Sequence, residues 1–300
     1  MALKDKLKTA LDETRLLILG SQILFGFQFN GMFQEGFGEL SQTAHWLNAG
    51  GFFLMAITVA LLIAPSMQHR LVERGEDSVR LHEVTSQFAA LALMPFALSL
   101  GLSFYLVLER PFGVAAAAAG GAIFCVLAML FWFGIEHLIE NPEKAMTNVR
   151  DNHKTPLHSR IEQMLTEARV LLPGAQALLG FQFAVMFTRT FEQLPQSSKL
   201  AHVAALAFIA LSVILLITPA AIHRLSFGGE DTEEFHLIGS RFVVAAAIPL
   251  GLGIGTDLYV AILRATASLP VAIGFAVTIV AVIAALWFVQ PYLLRLARAA

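Results

Sequence analysis

The segment LDETRLLILGSQILFGFQFNGMF at residues 11–33 returns as LTEARVLLPGAQALLGFQFAVMF at residues 165–187. The offset of 154 residues holds without a gap from Glu13 to Tyr105, and about 35 of these 93 positions are identical. Two unrelated apolar segments would share far fewer residues, and self-similarity at a fixed spacing indicates a duplicated unit. The sequence therefore predicts two copies of one unit in a single chain.

The composition indicates that both copies lie in a membrane. Of the 300 residues, 57% are apolar and only 14% are charged, and the charges fall in short clusters between long apolar stretches. Soluble domains carry nearly twice that share of charge. A hydrocarbon core of about 30 Å needs about twenty mostly apolar residues per helix. Eight segments meet this requirement: 16–33, 45–67, 84–108, 113–139, 170–188, 200–222, 238–263 and 269–294.

These spans predict an all-α integral membrane protein, because only helices and closed barrels satisfy their backbone hydrogen bonds in lipid. We expect a first four-helix repeat at residues 1–139, a cytoplasmic linker at 140–165 and a second four-helix repeat at 166–300. Four spans per copy is an even number, so both copies enter the membrane in the same direction. The pseudo-twofold axis should then run along the membrane normal, as in parallel-repeat transporters.

The distribution of Lys and Arg predicts the orientation. Sixteen of the twenty fall on the side that holds both termini, and the other side holds only Arg110, Arg189, Lys199 and Arg264. Because cytoplasmic loops are enriched in Lys and Arg, we expect a multi-pass protein of the bacterial inner membrane with both termini in the cytoplasm. The net charge of -2, without a basic stripe, excludes nucleic acid as a partner.

Short motifs recur in both copies: ETR or EAR at the start, then a GxQ and a GFQF pair, and PxxxHR at the end of the second span. With these motifs the chain resembles an uncharacterised bacterial membrane family. Its usual members carry one four-helix unit, and some are labelled as sodium:proton antiporters. The resemblance implies the fold and the tandem duplication, and it supplies no catalytic residues. The aspartate pair or buried lysine of a typical antiporter site does not occur mid-span in this sequence.

Two glutamines lie inside the first span of each copy: Gln22 and Gln28 in the first, and Gln176 and Gln182 in the second. An amide in hydrocarbon needs a hydrogen-bond partner. The four could line a polar pathway between the copies, or they could hydrogen-bond neighbouring helices. Gln22 and Gln28 point about 120° apart around a helix, so they cannot both face one axis. This favours the hydrogen-bonding interpretation.

A second group of polar residues lies near the predicted cytoplasmic boundary. It comprises Glu13, Arg15, His69, Arg70 and His82, with the counterparts Glu167, Arg169, His223, Arg224 and His236. Both copies keep both histidines, although the intervening VER became SFG and SVRL became TEEF. Side-chain type was thus retained while the loops diverged, as a site or a required ion-pair network would demand.

Four interpretations of this group are open. The histidines His69, His82, His223 and His236 could help to hold a divalent metal. They could ligate haem, although helices that pack about 8–10 Å apart leave little room for a porphyrin. The Arg and His pairs could bind anions or lipid headgroups, or the histidines could sense pH. In the structural alternative Glu13 pairs with Arg70, and the histidines interact with helix ends.

Asp257 occurs in the second copy only, where the first copy has Ser103. An acid inside a span is a functional hypothesis by default. The alternative is a hydrated carboxylate near the outer mouth, where Arg264 could lie on the same face. His45 and His202 do not align with each other, and we expect both at ordinary interfacial positions.

Together these observations favour a small transporter or channel-like protein, linked to protons or a monovalent ion, for a small ion or small solute. Phosphate-loop, Ser-His-Asp and CxxC motifs are missing from the sequence, which argues for a non-enzymatic role. The alternatives are a metal- or haem-binding redox or hydrolytic protein at the cytoplasmic face, and a lipid-binding or interaction module. No cofactor is the first expectation, and assembly into a homo-oligomer is left open.

Overall fold

A computed structural model describes residues 3–74, 76, 78–134, 156–227 and 230–299. Of the predicted linker at 140–165, residues 140–155 lie outside the described part of the chain. The side chains of Glu13, His82 and Arg224, three residues of the predicted boundary group, also lie outside the described residues.

The described residues form helices joined by short turns. The helices of the first repeat are α1 (Leu3–Gly31), α2 (Gln42–Leu71), α3 (Val79–Glu109) and α4 (Pro111–Met129), with a short 3-10 helix at Glu35–Glu39. Those of the second are α5 (Leu157–Met186), the short α6 (Arg189–Glu192), α7 (Gln196–Leu225), α8 (Glu233–Thr266), α9 (Leu269–Ala284) and α10 (Gln290–Ala299). Gly113, with a φ of 78°, introduces a kink into the otherwise continuous helix Val79–Met129. Only glycine adopts this conformation without steric cost.

Among the described residues, seven stretches are long and apolar enough to cross a membrane: α2, α3, α4, α5, α7, α8 and the stretch Leu269–Ala297 that joins α9 to α10. The chain is therefore an all-α membrane protein in its described part. The eighth predicted span, in α1, is not among these seven. With 29 residues α1 is long enough, but Gln22, Gln28 and Asn30 lower its hydropathy.

The first helices of the two repeats, α1 and α5, pack directly against each other. Small residues allow the close approach. A Cβ atom at Gly174 would overlap the side chain of Gln22, and a Cβ atom at Gly26 would overlap the ring of Phe181. The rings of Phe27 and Phe181 add a contact, with centroids 4.5 Å apart. The two first helices thus lie at the interface between the repeats and not at opposite outer edges.

The interior of the molecule is centred on α2 and α8, which pack against each other and against neighbours from both repeats. Met55 and Ile63 of α2 and Ile254 of α8 are fully buried there. A π turn, Ala285–Val289, follows α9 and buries Trp287, whose Nε1 donates a hydrogen bond to the carbonyl of α2 residue Ala60 at 2.8 Å. Large apolar side chains on α3, α4 and α7 point outward, which suits a surface that faces lipid.

The end of α2 meets the beginnings of α5 and α8, through Arg70, Glu167, Arg160 and Glu233. We call this end of the bundle the arginine end. The other end holds the Glu35–Glu39 turn, α6 and the end of α8, and we call it the opposite end.

Candidate functional site

The first candidate site joins three helices of the second repeat. Gln182 of α5 donates a hydrogen bond from Nε2 to Oδ2 of Asp257 on α8, at 2.7 Å. His202 of α7 lies beside them and donates from Nε2 to the backbone carbonyl of Gln182, at 3.0 Å. Gln182, His202 and Asp257 are each no more than 1% exposed. The three side chains therefore form one buried polar group inside the bundle.

The alternative interpretation of Asp257, as a hydrated carboxylate near the outer mouth, is wrong. Asp257 is 1% exposed. The guanidinium of Arg264 lies over the ring of Phe37 instead, 6.0 Å from its centroid. The glycines of α8 explain the burial, because Gly253 contacts Ile209 of α7 and Gly255 contacts Val280 of α9. Close packing on both sides of α8 encloses the acid.

Several atoms of this group have no hydrogen-bond partner within the described part of the chain. They are Oδ1 of Asp257, Oε1 of Gln182 and Nδ1 of His202. No described Lys or Arg forms an ion pair with Asp257. A charge buried without a partner is costly in an apolar medium. The group is therefore suited to bind a proton or a small cation that neutralises the carboxylate.

The prediction for His202 is also wrong: this histidine is not at an ordinary interfacial position. Its ring is stacked on Phe29 of α1, with centroids 5.6 Å apart and planes 7° apart. Phe33, two residues after the end of α1, and Phe191 also contact it. The first helix of one repeat therefore covers the polar group of the other. His45, by contrast, is half-buried, with Nε2 2.9 Å from the carbonyl of Phe37.

In the first repeat Gln28 is the counterpart of Gln182, and its hydrogen-bond partners are neutral hydroxyls. Gln28 donates to the hydroxyls of Ser99 and Ser103, each at 2.8 Å. Ser103 is the counterpart of Asp257, and Asn48 is the counterpart of His202. Gln28, Asn48 and Ser103 line an open cavity of about 440 Å³. The duplicated position is thus open and neutral in one repeat, and closed and acidic in the other.

The other two predicted glutamines do not join these groups. Gln22 is fully buried against Gly174, and neither atom of its amide has a partner among the described residues. Gln176, its counterpart, is exposed. A single polar pathway along all four glutamines is therefore wrong, and the hydrogen-bonding interpretation describes Gln28 and Gln182.

The second candidate site is at the arginine end, where a buried carboxylate links the repeats. Glu167 of α5 accepts from Nδ1 of His69 at 2.6 Å and from Nε of Arg70 at 2.5 Å. The side chains of His69, Arg70 and Glu167 are no more than 3% exposed. Arg70 thus pairs with the acid of the other repeat, whereas the sequence suggested Glu13 of its own repeat.

Other predicted residues of the boundary group lie around this pair. His236 is buried, and Nη2 of Arg160 approaches its Nδ1 at 3.4 Å. His223 pairs with Asp231 at 3.5 Å and stacks on Phe235. Arg15 and Glu167 share a small crevice. Arg169 is exposed. The structure therefore brings together His69, Arg70, Glu167 and His236, and it places His223 in a separate pair.

The metal interpretation receives no support from the described side chains, which contain no group of three or more His, Cys, Asp or Glu residues that could hold an ion.

Sequence reasoning missed the pairing of Asp257 with Gln182, the covering of His202 by α1, and the cationic residues Arg74, Arg160, Arg241 and Arg295 around His236. The offset does show that Asp257 replaces Ser103 and that His202 replaces Asn48. Two polar substitutions at a duplicated position are a signal that could have indicated the first site.

Comparisons with known proteins agree with the duplication. The model of a family of unknown function, DUF6328, matches the chain twice, at residues 3–136 and 151–291. No curated protein and no solved structure matches it. The two matches cover most of the chain, and the protein therefore belongs to the DUF6328 family as a tandem duplication of the family's unit.

Proposed function

We propose that this protein is a small transporter of the bacterial inner membrane that moves a proton or another monovalent cation, with Asp257 as the residue that binds it. The observation that carries the proposal is the burial of Asp257 inside a membrane-spanning helix with one amide donor, from Gln182, as its hydrogen-bond partner. Acids inside membrane spans mark ion pathways and proton relays.

The chemistry of the group suits a small cation. Asp257 and Gln182 each keep one oxygen without a partner in the described part of the chain. Carboxylate and amide oxygens are ligands for hard cations, and a carboxylate also accepts a proton. A bound proton or cation removes the cost of a buried negative charge. An anionic substrate would add to that charge, so this group excludes it.

The duplicated architecture suggests how the cation reaches the site. In the proposed arrangement α1 is the eighth span, the repeats are parallel, and a pseudo-twofold axis runs along the membrane normal. The arginine end faces the cytoplasm, together with both termini. Phe29 of α1 and Phe33, just after the end of this helix, cover His202, so a shift of α1 relative to α7 would open the second-repeat site. The open cavity beside Gln28 is the equivalent position without this cover.

Flux measurements in proteoliposomes test the proposal. The purified full chain is reconstituted, and proton flux is followed under gradients of Na⁺, K⁺ and Li⁺. Asp257→Asn preserves shape and hydrogen bonding but removes the ionisable group, so flux should fall to the level of protein-free liposomes. Glu109→Gln is the matched control, because Glu109 is a buried acid of α3 that bonds to Ser41 and Tyr105 outside the site. This control should transport like the native protein.

Asp257→Glu keeps the ionisable group and should retain part of the flux. Native flux in Asp257→Asn would contradict the assignment of the residue. A native protein that moves none of the tested cations would contradict the function itself.

A further inference from the structure

A cleft of about 630 Å³ opens at the arginine end, between the end of α2 and helices α5, α8 and α10. It is separate from the Gln182–Asp257 group, because its α8 residues end at Ile248 and Asp257 lies further along that helix. Its head is lined by Arg70, Arg74, Arg160, Arg241, Arg295 and His236. No carboxylate is among the described residues that line it. The cleft is therefore strongly cationic.

Acids outside the cleft offset only part of this charge. Glu167 pairs with Arg70 at 2.5 Å. Glu76 and Glu233 pair with Arg160, at 3.5 Å and 3.2 Å. The remaining three arginines, Arg74, Arg241 and Arg295, form no ion pair within the part of the chain that the structure describes. The head of the cleft carries an excess of positive charge that calls for an anion.

Two of the buried side chains that line the cleft also carry donor atoms without partners in the described part of the chain. Nη2 of Arg70 contacts no acceptor among the described residues, although Arg70 is only 5% exposed. The guanidinium of Arg160 can only donate, so Nδ1 of His236 must accept and Nε2 carries the hydrogen. That Nε2 has no partner in the described part of the chain either, and His236 is 2% exposed. A buried donor without a partner is costly, so these two side chains add unsatisfied donors beside the cleft.

Below this head the cleft becomes apolar. Leu237, Val244, Ala245 and Ile248 follow one face of α8. From Arg241, the last cation of the head along α8, to Ile248 the helix rises by about 10 Å. One leaflet of a bilayer is about 15 Å of hydrocarbon. The apolar groove therefore covers about two thirds of a leaflet, which fits the upper part of an acyl chain and is longer than a free phosphate needs.

The divergence of the repeats adds an independent argument. Arg74 corresponds to Gly228, and Arg241 corresponds to Gln87. These two arginines, which form no ion pair among the described residues, are thus specific to this cleft and are not a general property of the duplicated unit.

We propose that this cleft binds one anionic phospholipid, with its phosphate on the arginines and one acyl chain along α8. Basic pockets between helices on the cytoplasmic side bind the headgroups of anionic lipids. The proposal does not depend on transport, since it concerns other residues and is measured by binding alone.

Native mass spectrometry of the full chain in neutral detergent tests the proposal, with phosphatidylglycerol and phosphatidylethanolamine of identical acyl chains. The native protein should retain phosphatidylglycerol in preference. An arginine near a membrane surface contributes about fivefold to the binding of anionic lipid, so Arg241→Gln with Arg295→Gln should weaken retention by roughly 25-fold. The control, Arg189→Gln with Lys199→Gln, removes the same charge from the opposite end of the bundle and should retain the lipid normally.

A third variant separates a lipid from a free anion. Ala245→Phe fills the apolar groove without changing charge, so it should also weaken retention of phosphatidylglycerol. Equal retention of the two lipids, or an equal loss in the control, would overturn the proposal. Unchanged retention in Ala245→Phe, together with displacement of the lipid by inorganic phosphate, would assign the cleft to a free anion instead. Size-exclusion profiles identify any variant that fails to fold. Arg74→Gln then replaces the substitutions of Arg241 and Arg295, and Val244→Phe replaces Ala245→Phe.

Discussion

Removal of the carboxylate of Glu167 should weaken the contact between the two repeats and lower the free energy of unfolding. This carboxylate accepts from His69 of α2 at 2.6 Å and from Arg70 of α2 at 2.5 Å. Glu167→Gln keeps the size of the side chain and one acceptor oxygen, but it leaves the guanidinium of Arg70 buried without a counter-charge. The substitution therefore isolates the electrostatic part of the contact.

The expected magnitude follows from burial. Loss of one partner of a buried ion pair costs about 3–5 kcal/mol, because the other charge stays out of water without compensation. The side chains of Arg70 and Glu167 are 1% and 3% exposed, so the pair belongs to this class. Since the amide oxygen that Glu167→Gln introduces can still accept from His69, we expect the lower value, about 3 kcal/mol. Arg70→Met combined with Glu167→Gln should cost less than the sum of the single substitutions, because neither charge is left alone.

The free energy of unfolding is measured in mixed micelles, with helical circular dichroism followed as the denaturing detergent is increased. The pair Arg160–Glu233 is the control, since its N–O distance is 3.2 Å, the side chain of Glu233 is 61% exposed, and Arg160 keeps Glu76 as a second partner. Glu233→Gln should cost only about 0–1 kcal/mol. If Glu167→Gln costs no more than this control, or if the double substitution is simply additive, the buried pair does not hold the repeats together.

Two further predictions concern the architecture. Gly174→Val should lower the free energy of unfolding by about 1–3 kcal/mol, because the new side chain would overlap Gln22 at the interface of α1 and α5; Gly180→Ala, which meets nothing within 4 Å, should be neutral or stabilising. Reporter fusions after residues 75, 152 and 229 should all report the cytoplasm if the repeats are parallel, and an external reporter at 152 would contradict that arrangement.

The fold was largely predictable because it depends on local properties of the chain. Apolar length gave the spans, and a constant offset gave the duplication, which the two family matches confirm. The prediction was less secure for α1, where three polar side chains reduce the hydropathy that identifies a span. Two of these polar residues take part in helix packing. Gln22 lies against Gly174, and Gln28 hydrogen-bonds to α3.

The candidate sites were less predictable because they depend on which helices become neighbours. The offset places Glu167 opposite Glu13 in the alignment, but it cannot show that Arg70 reaches across to the other repeat. Similarly, Asp257 lies close to the end of its span in sequence and was taken to be near water. The glycines at 253 and 255 instead let α7 and α9 enclose it. Exposure in a helical bundle is set by the neighbours of a residue as well as by its depth.

The differences between the repeats at the first site support one another chemically. In the first repeat the amide of Gln28 donates one hydrogen to Ser99 and the other to Ser103, and Ser99 donates onward to the carbonyl of Gly51. The second repeat has Gly253 in place of Ser99, which removes one acceptor and leaves Asp257 as the acceptor of the Gln182 amide among the described residues. The same glycine allows Ile209 to approach and exclude solvent. A serine at position 253 would collide with Ile209 and hold α7 and α8 apart, so the enclosure of the acid at 257 depends on this glycine.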